Sequence, residues 1–305
     1  MLAHVLAIIA PGQGAQTPGM LTALLEDAEN KAFLAEWSKA IDLDLVRLGT
    51  TADADEIKDT ANAQPLIVAA GLLGFRAFAN EKFSYVAGHS VGEITAAAIA
   101  GVLTPVDAMK LVRARGIEMA KAATAKPAGM AAVLGGEREV VLKAISDLGL
   151  VAANDNGGGQ IVAAGDLEAL GKLAPEGARV RPLAVAGAFH TSYMAPAVEA
   201  VKSLAETISV SDASVGVISN KDGAVINNGR EILDCIVNQI SNPVRWDLCM
   251  QTLTSVGVTG AIEVPPAGTL VGLIKRAIPT VEGFALKSPD DVTGARDFAS
   301  SHGAK

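Results

Sequence analysis

"YVAGHSVGEITAAAIAGVL" (residues 85–103) decides how this chain is read. An apolar run stops at Gly88, a histidine and a serine follow, and an alanine-rich, helix-forming stretch begins after Gly92. Gly88-His89-Ser90-Val91-Gly92 satisfies G-x-S-x-G, and the pattern occurs once in the chain. At a nucleophile elbow the serine sits in strained backbone, and its neighbours must be small because strand and helix crowd together there. Such a turn exposes the hydroxyl and aims a helix N-terminus at it, so the N–H of Val91 becomes a natural oxyanion donor. The plainer reading is a glycine-rich turn. The strand–turn–helix setting favours the elbow.

Working outward, residues 4–10 read as a buried strand ended by "PGQGAQ", and residues 19–48 as mostly helical. A helix is expected from about Pro65, with proline in its first turn. "FSYVAG" is the next strand, followed by helices at about 91–101 and 105–123. Strand, long helical connection, strand and helix is the pattern of a parallel α/β sheet. Residues 125–187 read differently, as β-α-β-β-α-β, the ferredoxin-like order. The expected organisation is a large domain built on that parallel α/β sheet from residues 1–124 and 188–305, with a ferredoxin-like small domain inserted at 125–187. Strands are expected near "SVGVISN" (214–220) and "GAIEVPP" (260–266), and the last twenty residues or so as a weakly patterned tail.

Of the 305 residues half are apolar and 4% are aromatic, so the core is built mainly from Ala, Val, Leu and Ile. The net charge of −8, with no Lys/Arg block, argues against general nucleic-acid binding. Two cysteines, Cys235 and Cys249, are too few for a disulfide scaffold. The start lacks a basic n-region and breaks at Pro11, so it reads as a strand rather than a signal peptide. The expected location is the cytoplasm, with no membrane span.

A serine hydroxyl needs a base. There are four histidines. His4 opens the first strand, His302 is in the tail and His89 adjoins the serine, which leaves His190 in "VAGAFHTSYMAPA". The orienting group stays open. Glu93, Asp107, Glu118 and Asp155 lie in the right stretch of chain, and a backbone carbonyl serves equally well. In "APGQGAQ", Gly12 and Gly14 let the backbone approach a ligand, although the Lys-Ser/Thr of a P-loop is missing. On the helix that follows, Ala108, Leu111, Val112, Met119 and Ala122 form one apolar stripe, and Arg115 falls on it. A buried arginine needs an anionic partner, either an internal carboxylate or a substrate carboxylate held bidentately.

"PGQGAQ", "AQPLIVAA", "GHSVGE", "RARGIEM", "GAFH", "NPVRW" and "EVPPAGTL" together resemble the malonyl-CoA:acyl-carrier-protein transacylases over nearly the whole chain. The resemblance implies an α/β-hydrolase-like large domain carrying a ferredoxin-like small domain, and a ping-pong transfer of malonyl from CoA to the pantetheine thiol of an acyl carrier protein, supplying fatty acid synthesis. It implies no metal and no cofactor, with malonyl-CoA as a substrate. Ser90 would be the nucleophile and His190 its base, oriented by the main-chain carbonyl of Gln239. Gln13 and Val91 would supply oxyanion-hole amides. Arg115 would clamp the malonyl carboxylate, and Gln64, Phe189 and His89 would line the substrate site. Phe189 before the histidine and an aliphatic residue after the serine look like the malonyl-selecting form. "VPPAG" (264–268) departs from the Gly-Pro-Gly-type turn of many relatives.

Two other readings share these residues. A serine hydrolase would use Ser90 and His190 but gives no reason for Arg115 on a buried face. A catalytically silent carrier-binding module would leave Ser90 unacylated. The resemblance also implies an acidic carrier and hence a basic patch, for which Lys110, Arg113, Lys275 and Arg276 are candidates. The plainer account of each is an ordinary solvated face.

Overall fold

β1 (Leu6–Ala10) is buried along its whole length. Its side chains alternate between two clusters. Leu6, Ile8 and Ala10 pack to one side, and Ala7 and Ile9 pack to the other against Trp246 and Leu253. A strand covered on both faces must be apolar at every position, which is why this stretch shows no alternation. The computed structural model describes residues 4–185 and 187–303. The other strands are β2 (Tyr85–Gly88), β3 (Ala128–Gly135), β4 (Val151–Asp155), β5 (Gln160–Asp166) and β6 (Ala178–Pro182). They continue with β7 (Gly216–Ile218), β8 (Val225–Ile226), β9 (Val244–Arg245), β10 (Gly260–Glu263) and β11 (Glu282–Ala285).

One sheet has six strands in the order β11-β10-β1-β2-β7-β8. All its pairings are parallel except the terminal β7–β8 hairpin. The carboxyl ends of β10, β1, β2 and β7 therefore open on one edge, where ligands of open α/β sheets bind. The second sheet runs β6-β3-β5-β4-β9. Its β3 to β6 are antiparallel neighbours in ferredoxin-like order, and helices Arg138–Asp147 and Leu167–Lys172 supply the two crossovers. β9 comes from much later in the chain and adds in parallel to β4. A parallel sheet and a ferredoxin-like sheet are the two expected from strand order, and the first is the α/β-hydrolase-like sheet that the resemblance implies.

Two local expectations are corrected. The helix expected from Pro65 starts at Thr60, capped by the Asp59 carboxylate, and runs to Arg76 with Pro65 inside it. A proline there withholds the N–H that would serve the carbonyl of Ala61. Nη1 of Arg113, from the neighbouring helix Pro105–Thr124, donates to that carbonyl at 2.8 Å instead. The expected tail is strand β11 followed by a helix, Val292–His302, which buries Ala295, Ala299 and His302. His302 shares a hydrogen bond with Thr259 Oγ1 at 3.0 Å and sits over Gly260, where a Cβ would meet its ring at 2.5 Å. Alanines carry little hydropathic contrast, so this stripe is faint in the sequence.

Candidate active site

The serine corner lies where β2 meets the helix Gly92–Ile99. Ser90 has φ +54°, a left-handed conformation that costs a non-glycine residue about 1–3 kcal/mol. The flanking glycines are obligatory. A Cβ on Gly88 would lie 2.0 Å from the Gly92 carbonyl carbon, and one on Gly92 would lie 2.3 Å from the Ala10 oxygen. Asn220, fully buried just past β7, holds the strained turn. Its Oδ1 accepts from Ser90 N at 2.8 Å, and its Nδ2 donates to Gly88 O at 2.7 Å. Asn220 escaped the sequence reading. The only trace of it there is a polar residue closing the apolar run "GVIS".

His190 also adopts a positive φ, +61°. Its Nε2 lies 2.8 Å from Ser90 Oγ, and its Nδ1 lies 2.8 Å from the main-chain oxygen of Gln239. A backbone oxygen can only accept, so Nδ1 carries the proton and Nε2 is free to take the serine proton. The candidate carboxylates stand elsewhere. Asp155 pairs with Arg138, Glu118 with Lys121, and Asp107 bonds Thr104. Glu93 is buried beneath the corner, where it accepts from Asn220 N and Gln239 Nε2. Burial pushes its carboxyl up to about 8 against those donors and against nearby Arg115. Burial, then the charge of Arg115, pushes His190 down to about 3. The imidazole is therefore neutral and ready as a base at physiological pH.

Arg115 is 1% exposed. Its Nη1 donates to Gln64 Oε1 at 2.8 Å, its Nη2 to Gln239 Oε1 at 2.9 Å, and Nη2 also reaches Ser90 Oγ at 3.5 Å. Nε has no partner among the described residues. The internal carboxylate that a buried arginine commonly pairs with is replaced here by two neutral amide oxygens. Burial lowers Arg115 to about 10 against the charge of Glu93, so it stays cationic at neutral pH, where Glu93, pushed up to about 8, is mostly protonated. Amide dipoles compensate a desolvated charge only in part. The site therefore holds unneutralised positive charge beside the Ser90 hydroxyl.

A cavity of about 250 Å³ opens over Ser90 and His190 between the two sheets. Gln13, Gln64, His89 and Phe189 line it from one side, and Met130 and Val162 from β3 and β5 face them. A larger cavity, about 570 Å³, lies behind Gln239 and does not include the serine. His89 shares a 2.8 Å hydrogen bond with Asn156 Oδ1 rather than with Ser90. Gly12 must be glycine for this, since a Cβ would sit 2.9 Å from His89 Nδ1. Among the described residues, neither the N–H of Gln13 nor that of Val91 has a hydrogen-bond partner. The arrangement can deprotonate a serine, accept an acyl group and receive an anion next to it.

Known proteins resemble this chain over nearly its whole length. The family model "Acyl transferase domain" matches residues 8–287. The malonyl CoA-acyl carrier protein transacylase of Mycobacterium tuberculosis is 51% identical over 296 residues, covering 94% of this chain and 98% of that protein. The Escherichia coli protein of the same name is 32% identical, covering 96% and 99%. Among solved structures, the MCAT from Mycobacterium tuberculosis superposes with a TM-score of 0.92 at 51% identity, covering 95% of this chain and 99% of that one. A malonyl-transacylase solved in complex with a type II polyketide acyl-carrier protein, PlMCAT:AntF, superposes with a TM-score of 0.90 at 30% identity, covering 96% and 99%.

Proposed function

The chain belongs to the acyl transferase domain family, and from that premise we propose how its residues divide the work. The enzyme transfers malonyl from CoA to the thiol of an acyl carrier protein. His190 Nε2 takes the Ser90 proton as Oγ bonds to the thioester carbon. The N–H groups of Gln13 and Val91 receive the oxyanion. The C–S bond then breaks, and the proton passes from His190 to the departing CoA sulfur. In the second half the carrier thiol gives its proton to His190 and attacks the malonyl-serine carbon. Ser90 Oγ leaves and takes the proton back. Gln239 holds the imidazole through its carbonyl.

Arg115 receives the malonyl carboxylate, with Gln64 and Gln239 aiming it. A charge-assisted, desolvated pair contributes on the order of 2 kcal/mol against an acyl group lacking the carboxylate, roughly thirtyfold in rate. Phe189 and His89 bound the acyl chamber. The chemistry asks for no metal or redox cofactor. No helix among the described residues is long and apolar enough to cross a membrane. The reduced cysteines fit our placement of the reaction in the cytoplasm.

The observation carrying this reading is the unneutralised Arg115 guanidinium 3.5 Å from the hydroxyl that His190 activates. The test is the intact mass after incubation with malonyl-CoA and no acceptor. A malonyl-sized gain is expected that disappears in Ser90→Ala, is weak with acetyl-CoA and is discharged by a carrier thiol. Steady release of free malonate and CoA without an adduct would assign the site to hydrolysis instead.

A further inference from the structure

Glu93 is a buried carboxyl that neither half of the proposed reaction uses. It sits in the first turn of the helix Gly92–Ile99, three residues after the nucleophile. No ion pair joins it to Arg115 among the described residues. Its oxygens are divided between two uncharged donors instead. Oε1 accepts from the main-chain N–H of Asn220 at 2.6 Å, and Oε2 accepts from Gln239 Nε2. Burying a carboxyl is costly, and an apolar side chain of similar size would fill the space without that cost.

The Gln239 amide shows what the carboxyl controls. Its Nε2 also reaches Asn220 Oδ1 at 3.0 Å and Ser90 O at 3.2 Å, so three acceptors surround that nitrogen, and Glu93 is the nearest. Its Oε1 accepts from Arg115 Nη2 at 2.9 Å. A flipped amide would set an oxygen against three oxygens and an NH2 group against a guanidinium. The other partner of Arg115 is held less firmly. Gln64 Oε1 accepts from Nη1 at 2.8 Å, but Gln64 Nε2 reaches Gln13 Oε1 only at 3.4 Å and Met119 Sδ at 3.5 Å. Gln239 is thus the fixed reference for the guanidinium.

We propose that Glu93 is a positioning residue for carboxylate selection: it locks the Gln239 amide with Oε1 toward Arg115, which aims the guanidinium at the carboxylate of the incoming acyl group. The inference rests on the transferase reading above. Charge adds a second effect. Burial holds the Glu93 carboxyl up at about 8, so its anion accumulates only on the alkaline side. That anion offsets part of the Arg115 charge that receives the malonyl carboxylate. The groups around Glu93 leave this titration distinct. Arg115, the buried charge of the helix Pro105–Thr124, stays protonated to about 10, and His190 stays neutral above about 3. Burial pushes the thiols of Cys235 and Cys249 up. Arg230, Glu231 and Asp234 of the helix Gly229–Asn238 are exposed, and Arg76 of the helix Thr60–Arg76 is paired with Glu29. β1 carries no titratable residue, and Tyr85 opens β2 at the end away from the corner.

The test is Glu93→Gln, which keeps the shape but offers one acceptor where two donors converge. Single-turnover acylation is measured with malonyl-CoA and with acetyl-CoA across about pH 7 to 9. At neutral pH, kcat/KM for malonyl-CoA should fall about tenfold more than kcat/KM for acetyl-CoA. In the wild type the malonyl-to-acetyl ratio should decline as pH rises through about 8, and in the variant that decline should vanish. Equal losses with both donors would confine Glu93 to holding the fold and overturn the proposal. So would a wild-type ratio that stays flat over this range, a measurement that stands even where the variant does not fold. Failure of the wild type to form an acyl-enzyme with either donor would instead remove the transferase reading itself.

Discussion

The two sheets contribute to one cavity by opposite means. The parallel sheet offers the ends of its strands. There Ser90 and His190 are held in left-handed backbone, and Asn220, Glu93 and Gln239 are buried and knitted together by hydrogen bonds. The antiparallel sheet offers a face, on which Met130 and Val162 form apolar wall beside the polar Asn154 and Gln160. Strand ends can store strain because the sheet behind them is rigid. A sheet face can only present side chains at fixed spacing. Reaction should therefore fail abruptly with changes in the first region, and selection should shift gradually with changes in the second.

The comparison breaks most decisively at the base. His190→Ala is expected to lower the rate of malonyl-enzyme formation on the order of 10³-fold or more while leaving malonyl-CoA binding nearly intact, as read by rapid-quench kinetics. A loss under tenfold would move the base elsewhere.

Arg115→Ala sharpens it. The preference for malonyl- over acetyl-CoA should fall by tens of fold in competition assays. The pH profile should change as well. Burial and Arg115 hold His190 near 3, so wild-type acylation should stay flat as pH falls through 6.5, the usual histidine value. Removing the cation relieves its repulsion of the imidazolium, the histidine pKa rises, and the acid limb moves to higher pH. A limb that moves down or stays put would remove Arg115 from the electrostatics of the base.

The smallest effect belongs to the other sheet. Met130→Ala should cost under tenfold with malonyl-CoA and gain relative rate with a methyl-branched malonyl group, measured as a ratio of the two. A loss as severe as that of Arg115→Ala would erase the distinction between the regions.

What the sequence reveals follows the same division. Ser90, His190 and Arg115 are legible because each is marked locally, by a pentapeptide, by elimination and by a helical stripe. The ferredoxin-like order is legible from strand succession alone. Asn220 and the Gln239 amide are not, because sheet order brings them beside residues far away along the chain. Asn220 is 130 positions from Ser90, and Gln239 is 149 from it. Whether Arg115 meets a carboxylate or an amide is likewise a fact of packing, not of spacing.

Pro65 acts as an alignment key between two helices. By withholding one donor it leaves a socket at Ala61 O, and Arg113 of the adjacent helix plugs into it. Gly116 seats the same junction closely, since a Cβ there would lie 2.9 Å from Thr60 O. Arg115 lies between these two residues, and Gln64 comes immediately before the proline. A slip of one helical turn, about 5.4 Å, would empty the socket and bring side chain into backbone at once. The pairing of Arg115 with Gln64 is thus indexed by a helix defect, and the specificity of the site inherits its tolerance from that junction.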